Sequence, residues 1–242
     1  MIATFTALLL AHVLADFVLQ TNWIAANKHR PGVFALHILI VFAAAALALG
    51  QRQPEALGWL AALAVVHGLI DLAKRFAAAT GFAGFVTDQV AHLASLAGLA
   101  ALMPGLWASG LWATLLPGQT WLLHAFALVA GFVIATRAGG FAVGALLGRF
   151  DGVELPQGLE KGGELIGLLE RAMIFLLVLA GEPAGIGFLI AAKSVLRLEA
   201  TFADGAKHHR AAEYIIIGTL ASFAWAMAAS FATVTLRATL TP

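Results

Sequence analysis

The chain has 242 residues, 61% of them hydrophobic and only 11% charged, with a mean hydropathy of +0.92. Water-soluble domains hold about 45–50% apolar and about 25% charged residues, so a chain this poor in polar side chains is expected to fold in lipid. A net charge of +1 offers nothing to nucleic acid, and the lack of cysteine excludes disulfides and thiolate metal sites.

A membrane helix needs roughly 20 apolar residues at ~1.5 Å rise each. Hydrophobic runs bounded by Pro, Gly and charge predict an all-α polytopic bundle of about eight spans. They fall near 2–20, 32–50, 57–74, 86–103, 120–137, 165–181, 184–200 and 211–236. The first run has the length of a signal peptide but lacks a basic start and carries His12 and Asp16, so it reads as a retained helix. Residues 106–116 are apolar but too short to cross, which places them at an interface. In the connection 139–163, Gly140, Gly144 and Gly148 recur every fourth residue and predict a short half-helix with a flat packing face, followed by a polar loop. These divisions suggest a four-helix part over 1–105, an intermediate part over 106–164 and a three-helix part over 165–242, all within one membrane domain.

Orientation follows from the basic residues. With the N-terminus outside, the inner connections collect Lys28, Arg30, Lys74, Arg75, Arg137, Arg149, Lys161, Arg197, Lys207 and Arg210, while only Arg52 and Arg237 lie outside. Both termini are then expected to be periplasmic.

The first four spans carry His12/Asp16, His67/Asp71 and Asp88/His92, each pair four residues apart and so on one helix face. The order is His then Asp in the two inward-running spans and Asp then His in the outward-running one, as equal depth requires. His37 falls in the deeper layer, about 9 Å beyond Pro31 at helical rise. Four histidines at one depth and three aspartates at the next are therefore expected to converge. The intervals His12–His37 and His67–His92 are equal, as are Asp16–His37 and Asp71–His92, so one hairpin superimposes on the other without a gap. Under a duplication hypothesis the two hairpins are parallel repeats about an axis along the membrane normal.

Imidazole and carboxylate without thiol suit zinc, iron, manganese or a similar divalent ion. His12, Asp16, His37, His67, Asp71, Asp88 and His92 are the candidate ligands. Asp16, Asp71 and Asp88 are also candidates for a general base or for orienting the imidazoles, and Gln89 for an amide in support. The opposing reading is that the pairs merely bond across helices and fix their register. In the second half, Glu164, Glu170, Arg171, Lys193, Arg197, Glu199 and Glu213 form a charged layer. Arg171, Lys193 and Arg197 are candidates for holding an anionic headgroup or phosphate, unless the layer is an internal salt-bridge network.

The stretch His12-x-x-x-Asp16-Phe-x-Leu-Gln20, with His67-x-x-x-Asp71 and Asp88-Gln-x-x-His92, resembles the N-terminal signature of a known family. Gly163-x-x-Ile-Gly-x-Leu-Glu-Arg171, Ile190-Ala-Ala-Lys-Ser194, Ala212-Glu-Tyr214 and Gly218-Thr219 are similar to its C-terminal half. The family is a group of bacterial inner-membrane proteins catalogued as a domain of unknown function, serial three-three-zero-seven. The resemblance runs over essentially the whole chain and implies a multi-pass bacterial membrane protein, with no activity to transfer.

From the residues, the expectation is a metal-dependent intramembrane hydrolase or group transferase, open to the cytoplasm and acting on a phosphate-bearing lipid or other anionic amphiphile. A divalent-metal or proton-coupled transporter is the alternative. The outer halves of the first four spans, such as 43–49 and 97–102, are apolar, whereas a carrier needs access from both sides. A membrane scaffold is the third reading.

Overall fold

The computed structural model describes residues 1–77, 80–118, 120–150, 152–153, 159–201 and 206–240, with side chains except those of 195–201 and 206–208. Among these residues every regular element is helical. Six helices are long and apolar enough to cross a membrane: Ile2–Leu19, Pro31–Leu49, Pro54–Phe76, Gly81–Leu102, Trp121–Leu147 and His209–Ala238. The two other predicted spans correspond to a helix over Gly162–Leu179, which carries Glu164, Glu170 and Arg171, and a helix over Gly185–Thr201 with a short apolar stretch, Gly185–Ser194. Contacts divide the chain into two compact units, Met1–Val133 with Thr235–Pro242, and Ile134–Val234.

The first unit is organised around α1 (Ile2–Leu14), which continues into a π-helical turn, Ala15–Leu19. That span is 61% buried, against 22% to 33% for the next three, so it is the central strut of the unit. Small and branched side chains on it, Ala7, Leu8 and Ala11, enter one core with Ala45, Leu49, Leu60 and Leu96. After the short α2 (Asn22–Asn27) come α3 (Pro31–Leu49), α4 (Pro54–Phe76) and α5 (Gly81–Leu102). Both α3 and α4 begin with proline at the first helical position, where the missing N–H is no loss. Gly50 ends α3 with φ +64°, and the Gln51 amide bonds back to the Ala46 carbonyl at 2.9 Å, a closure that needs a residue without Cβ.

The apolar segment after α5 does not cross. It folds over one end of α1 and α3 and contains α6 (Leu111–Leu115). Thr4 Oγ1 donates to the Pro104 carbonyl, Trp112 Nε1 to the Leu47 carbonyl, and the Gln51 side-chain amide to the Leu106 carbonyl. α7 (Trp121–Val133) then packs against α1.

The second unit contains the π-helical turn Ile134–Ala138, α8 (Gly139–Leu147), α9 (Gly162–Leu179), α10 (Gly185–Thr201) and most of α11 (Ala206–Ala238). The predicted half-helix over 139–148 is no separate element. It prolongs the fifth span into one 27-residue helix, because the π turn Ile134–Ala138 joins it to the preceding helix without a break. Ile174, Val178, Ile186, Phe223 and Ala226 form the apolar core of this unit. Gly139 lets Trp225 and Arg171 lie against the α8 backbone: a Cβ there would come within 2.7 Å of Trp225 Cδ1 and 2.9 Å of Arg171 Cδ. Asp151 and residues 154–158 of the predicted polar loop lie outside the described residues, as do the side chains of Arg197, Glu199 and Lys207.

Candidate metal centre

All seven predicted histidines and aspartates of the first unit meet in one place. His12, His37, His67 and His92 come from four different helices and are almost wholly buried. Their rings form a contiguous group about His67, whose centroid is 5.7 Å from His12, 5.2 Å from His37 and 4.2 Å from His92. The expected convergence of the four histidines is thereby met.

The π turn at the end of α1 is what the spacing did not announce. The Gln20 amide bonds the Ala15 carbonyl five residues back at 2.9 Å, and the widened turn carries Asp16. Such insertions re-aim side chains at functional positions. Here Asp16 Oδ1 comes 3.3 Å from His67 Nε2 and 3.5 Å from His37 Nε2, while Oδ2 lies 3.8 Å from His12 Nδ1. One carboxylate on α1 thus faces imidazoles from three helices. Asp71, a turn below His67 on α4, puts Oδ2 3.5 Å from His37 Nε2 and 3.7 Å from His67 Nε2.

Tautomers can be read from the partners. His92 Nδ1 lies 2.9 Å from the Asp88 carbonyl, which can only accept, so Nδ1 carries the proton and Nε2 is the bare nitrogen. Gln89 Nε2 donates to Asp88 Oδ2 at 3.1 Å, which turns Gln89 Oε1 toward His12 Nε2 at 3.4 Å. His12 then donates through Nε2 and leaves Nδ1 bare. An imidazole whose protonated nitrogen is tied to a carbonyl or carboxylate while the other stands free is the usual arrangement around a bound metal. His92 Nε2, His12 Nδ1, Asp16 Oδ1 and Asp88 Oδ1 are buried without any hydrogen-bond partner. Such atoms are rare in folded proteins, and an ordered water or a bound ion would satisfy them.

Three overlapping trios have ligand atoms within 4.8 Å of one another: His12, Asp16 and His67; His37, His67 and Asp71; and Asp71, Asp88 and His92. The chemistry of this donor set, nitrogen and carboxylate oxygen only, fits a divalent transition ion or zinc.

Two residues that the sequence offered only as markers of orientation turn out to border the cluster. Lys28 Nζ donates to Asp71 Oδ2 at 2.8 Å, and Lys74 Nζ donates to Asp88 Oδ2 at 2.9 Å. With Arg75, Gln20, Phe34 and Asp71 they line an open cavity of 390 Å³. Lys28 follows the first span and Lys74 stands one turn beyond Asp71, so position relative to the aspartate was the available signal. Toward the opposite end of the helices, the space beside His12 and His67 is about 10 Å³, walled by Leu8, Val41, Ala45, Leu63 and Leu96.

The predicted anion-holding residues belong to the second unit and are engaged there. Arg171 is buried, its Nε donating to the Thr136 carbonyl and its Nη1 to Ser222 Oγ, both at 3.0 Å. Lys193 Nζ lies 2.6 Å from Glu170 Oε2. Of Arg197, only the backbone, within α10, is among the described residues.

Residues 4–115 match the family described as "Protein of unknown function (DUF3307)", the family that the N-terminal motifs resemble. The match takes in all seven clustered histidines and aspartates with Lys28 and Lys74, and it ends before the C-terminal motifs. Neither a curated protein nor a solved structure matches the chain.

Proposed function

We propose that the chain is a metal-dependent intramembrane enzyme, a hydrolase or group transferase, whose His/Asp centre opens toward the cytoplasmic side of the bacterial inner membrane. The observation that carries this reading is the set of buried, unpartnered ligand atoms on His12, Asp16, Asp88 and His92, gathered with His37, His67 and Asp71 of two further helices. A divalent ion held there would lower the pKa of a water toward neutrality and supply a nucleophile, with the aspartates available to take its proton or to orient the imidazoles.

The cavity lined by Lys28, Lys74 and Arg75 supports an anionic, phosphate-bearing substrate. Lysine and arginine hold phosphate oxygens through charge-assisted hydrogen bonds. Its position at the level of Phe34 and Leu72 suits an amphiphile whose headgroup enters while its chains stay in lipid. These residues, which line the open cavity beside the His/Asp cluster, are the ones we assign to the anion in place of Arg171 and Lys193 of the second unit. The small space beyond His12 and His67, about 10 Å³ and walled by apolar side chains, supports an enzyme over a carrier, which needs a polar path to both sides.

The test is metal content. Protein purified in detergent and loaded in turn with zinc, iron and manganese is expected to retain metal after desalting, and His67→Ala to lose it while still eluting as a monodisperse species. A wild-type protein that retains no metal under any of these loadings ends the proposal. Release of phosphate-bearing headgroups from anionic lipid vesicles, abolished by chelator, then tests the enzymatic part.

A further inference from the structure

We infer that the centre holds two divalent ions side by side, in two non-equivalent positions. This rests on the metal centre just proposed and adds its number of ions and the identity of each position. Among the three trios, His12, Asp16 and His67 share no member with Asp71, Asp88 and His92. Two complete sets of three protein ligands therefore exist at once, with no residue used twice. They adjoin, because the His67 and His92 rings are 4.2 Å apart between centroids. His37 belongs to neither set and stands between them, 3.1 Å from His67 Nε2 and 3.5 Å from both Asp16 Oδ1 and Asp71 Oδ2.

Four of the orphaned atoms divide the same way, while His37 Nδ1, also unpartnered, belongs to neither set. His12 Nδ1 and Asp16 Oδ1 fall in the first set, His92 Nε2 and Asp88 Oδ1 in the second. A single ion satisfies only one of these groups and leaves the other buried and unpaired. Charge points in the same direction. Three carboxylates gathered in a buried place are balanced now by Lys28 and Lys74, and both lysines sit on Asp71 and Asp88, the carboxylates of the second set. Those two ammonium groups occupy cation positions that a metal ion would take over.

The two positions differ in chemistry. Two imidazoles with one carboxylate, leaving a place open, suit zinc. Two carboxylates with one imidazole form a harder set that suits manganese or ferrous iron. Two such ions would supply charge stabilisation for a displacement at phosphorus, which accords with the cationic cavity beside the second set.

Metal counting decides it. Wild-type protein saturated with manganese or zinc and desalted is expected to hold two ions per chain, and His12→Ala and His92→Ala one each. The manganese-loaded wild type is expected to give an exchange-coupled electron paramagnetic resonance spectrum in place of the six lines of an isolated ion. That readout needs no variant and so survives a misfolded one. One ion in the wild type, lost equally in His12→Ala and His92→Ala and giving six isolated lines, overturns the two-ion arrangement and leaves the metal centre standing. No retained ion removes both.

Discussion

The two units of this chain both bury ionisable groups, and they treat them in opposite ways. In the second unit Arg171 is bonded at Nε and Nη1, and Glu170 is neutralised by Lys193, whose ammonium also lies 5.5 Å from the Phe223 ring. In the first unit four imidazoles and three carboxylates crowd together and leave ligand atoms unmet. Every buried, unpartnered side-chain atom among the described residues belongs to the first unit. Burial of charge is therefore no mark of a functional site in itself. What distinguishes the two is whether the protein completes the hydrogen bonding alone.

The contrast can be broken first in the second unit. Lys193→Met strips Glu170 of its counter-ion, and an unpaired buried charge costs about 3–5 kcal/mol. Thermal or denaturant unfolding in detergent should show a loss of that order, while metal per folded chain stays at the wild-type value. If the site of Arg171 and Lys193 were the metal-dependent one, metal content would fall instead.

Next in size is stabilisation by the ion. Zinc or manganese at a hundred times its dissociation constant should raise the stability of the folded state by about 2.7 kcal/mol through mass action. The rise should appear in wild type and in Lys193→Met and vanish in His67→Ala. A shift that persists in His67→Ala would place the ion elsewhere.

A smaller effect probes close packing in the second unit. Gly139→Ala pushes a methyl into Trp225 and Arg171, and overpacking of this kind typically costs about 1–3 kcal/mol. Metal binding should be untouched, as measured by elemental analysis of the folded fraction.

Least in magnitude, Lys28→Met removes a cation that competes for Asp71. The pair is partly solvated and worth up to about 1 kcal/mol, so metal should bind up to about fivefold tighter in competition with a chromogenic chelator. Looser binding would mean that Lys28 supports the ion rather than excludes it.

Much of the first unit was legible in the residues. His12/Asp16, His67/Asp71 and Asp88/His92 carry their own geometry, because a four-residue interval fixes one helix face and the reversed order fixes depth. Pro31 and Pro54 announced two helix starts in the same local way. The π turn over Ala15–Leu19 was not legible. Nothing in the local sequence Ala-Asp-Phe-Val-Leu marks a widened turn. Lys28 and Lys74 were visible as charges but not as partners of Asp71 and Asp88, since pairing across elements has no period. In the second unit Gly140, Gly144 and Gly148 correctly signalled a helix yet not its continuity with the fifth span, which depends on a second π turn at Ile134–Ala138. Arg171 and Lys193 illustrate a last limit: a charged residue in an apolar run looks the same in sequence whether its partner is a ligand or a neighbouring helix.

The segment from Pro104 to Leu116, tied down through Thr4, Leu47 and Gln51, makes one end of the first unit a dead end. Under the proposed function, reactant, product and ion would share the opening beside Lys28. Traffic through a single entrance is sequential, so an anion lodged there acts as a stopper: inorganic phosphate should slow the rate at which a chelator strips the metal, without changing how much is finally removed.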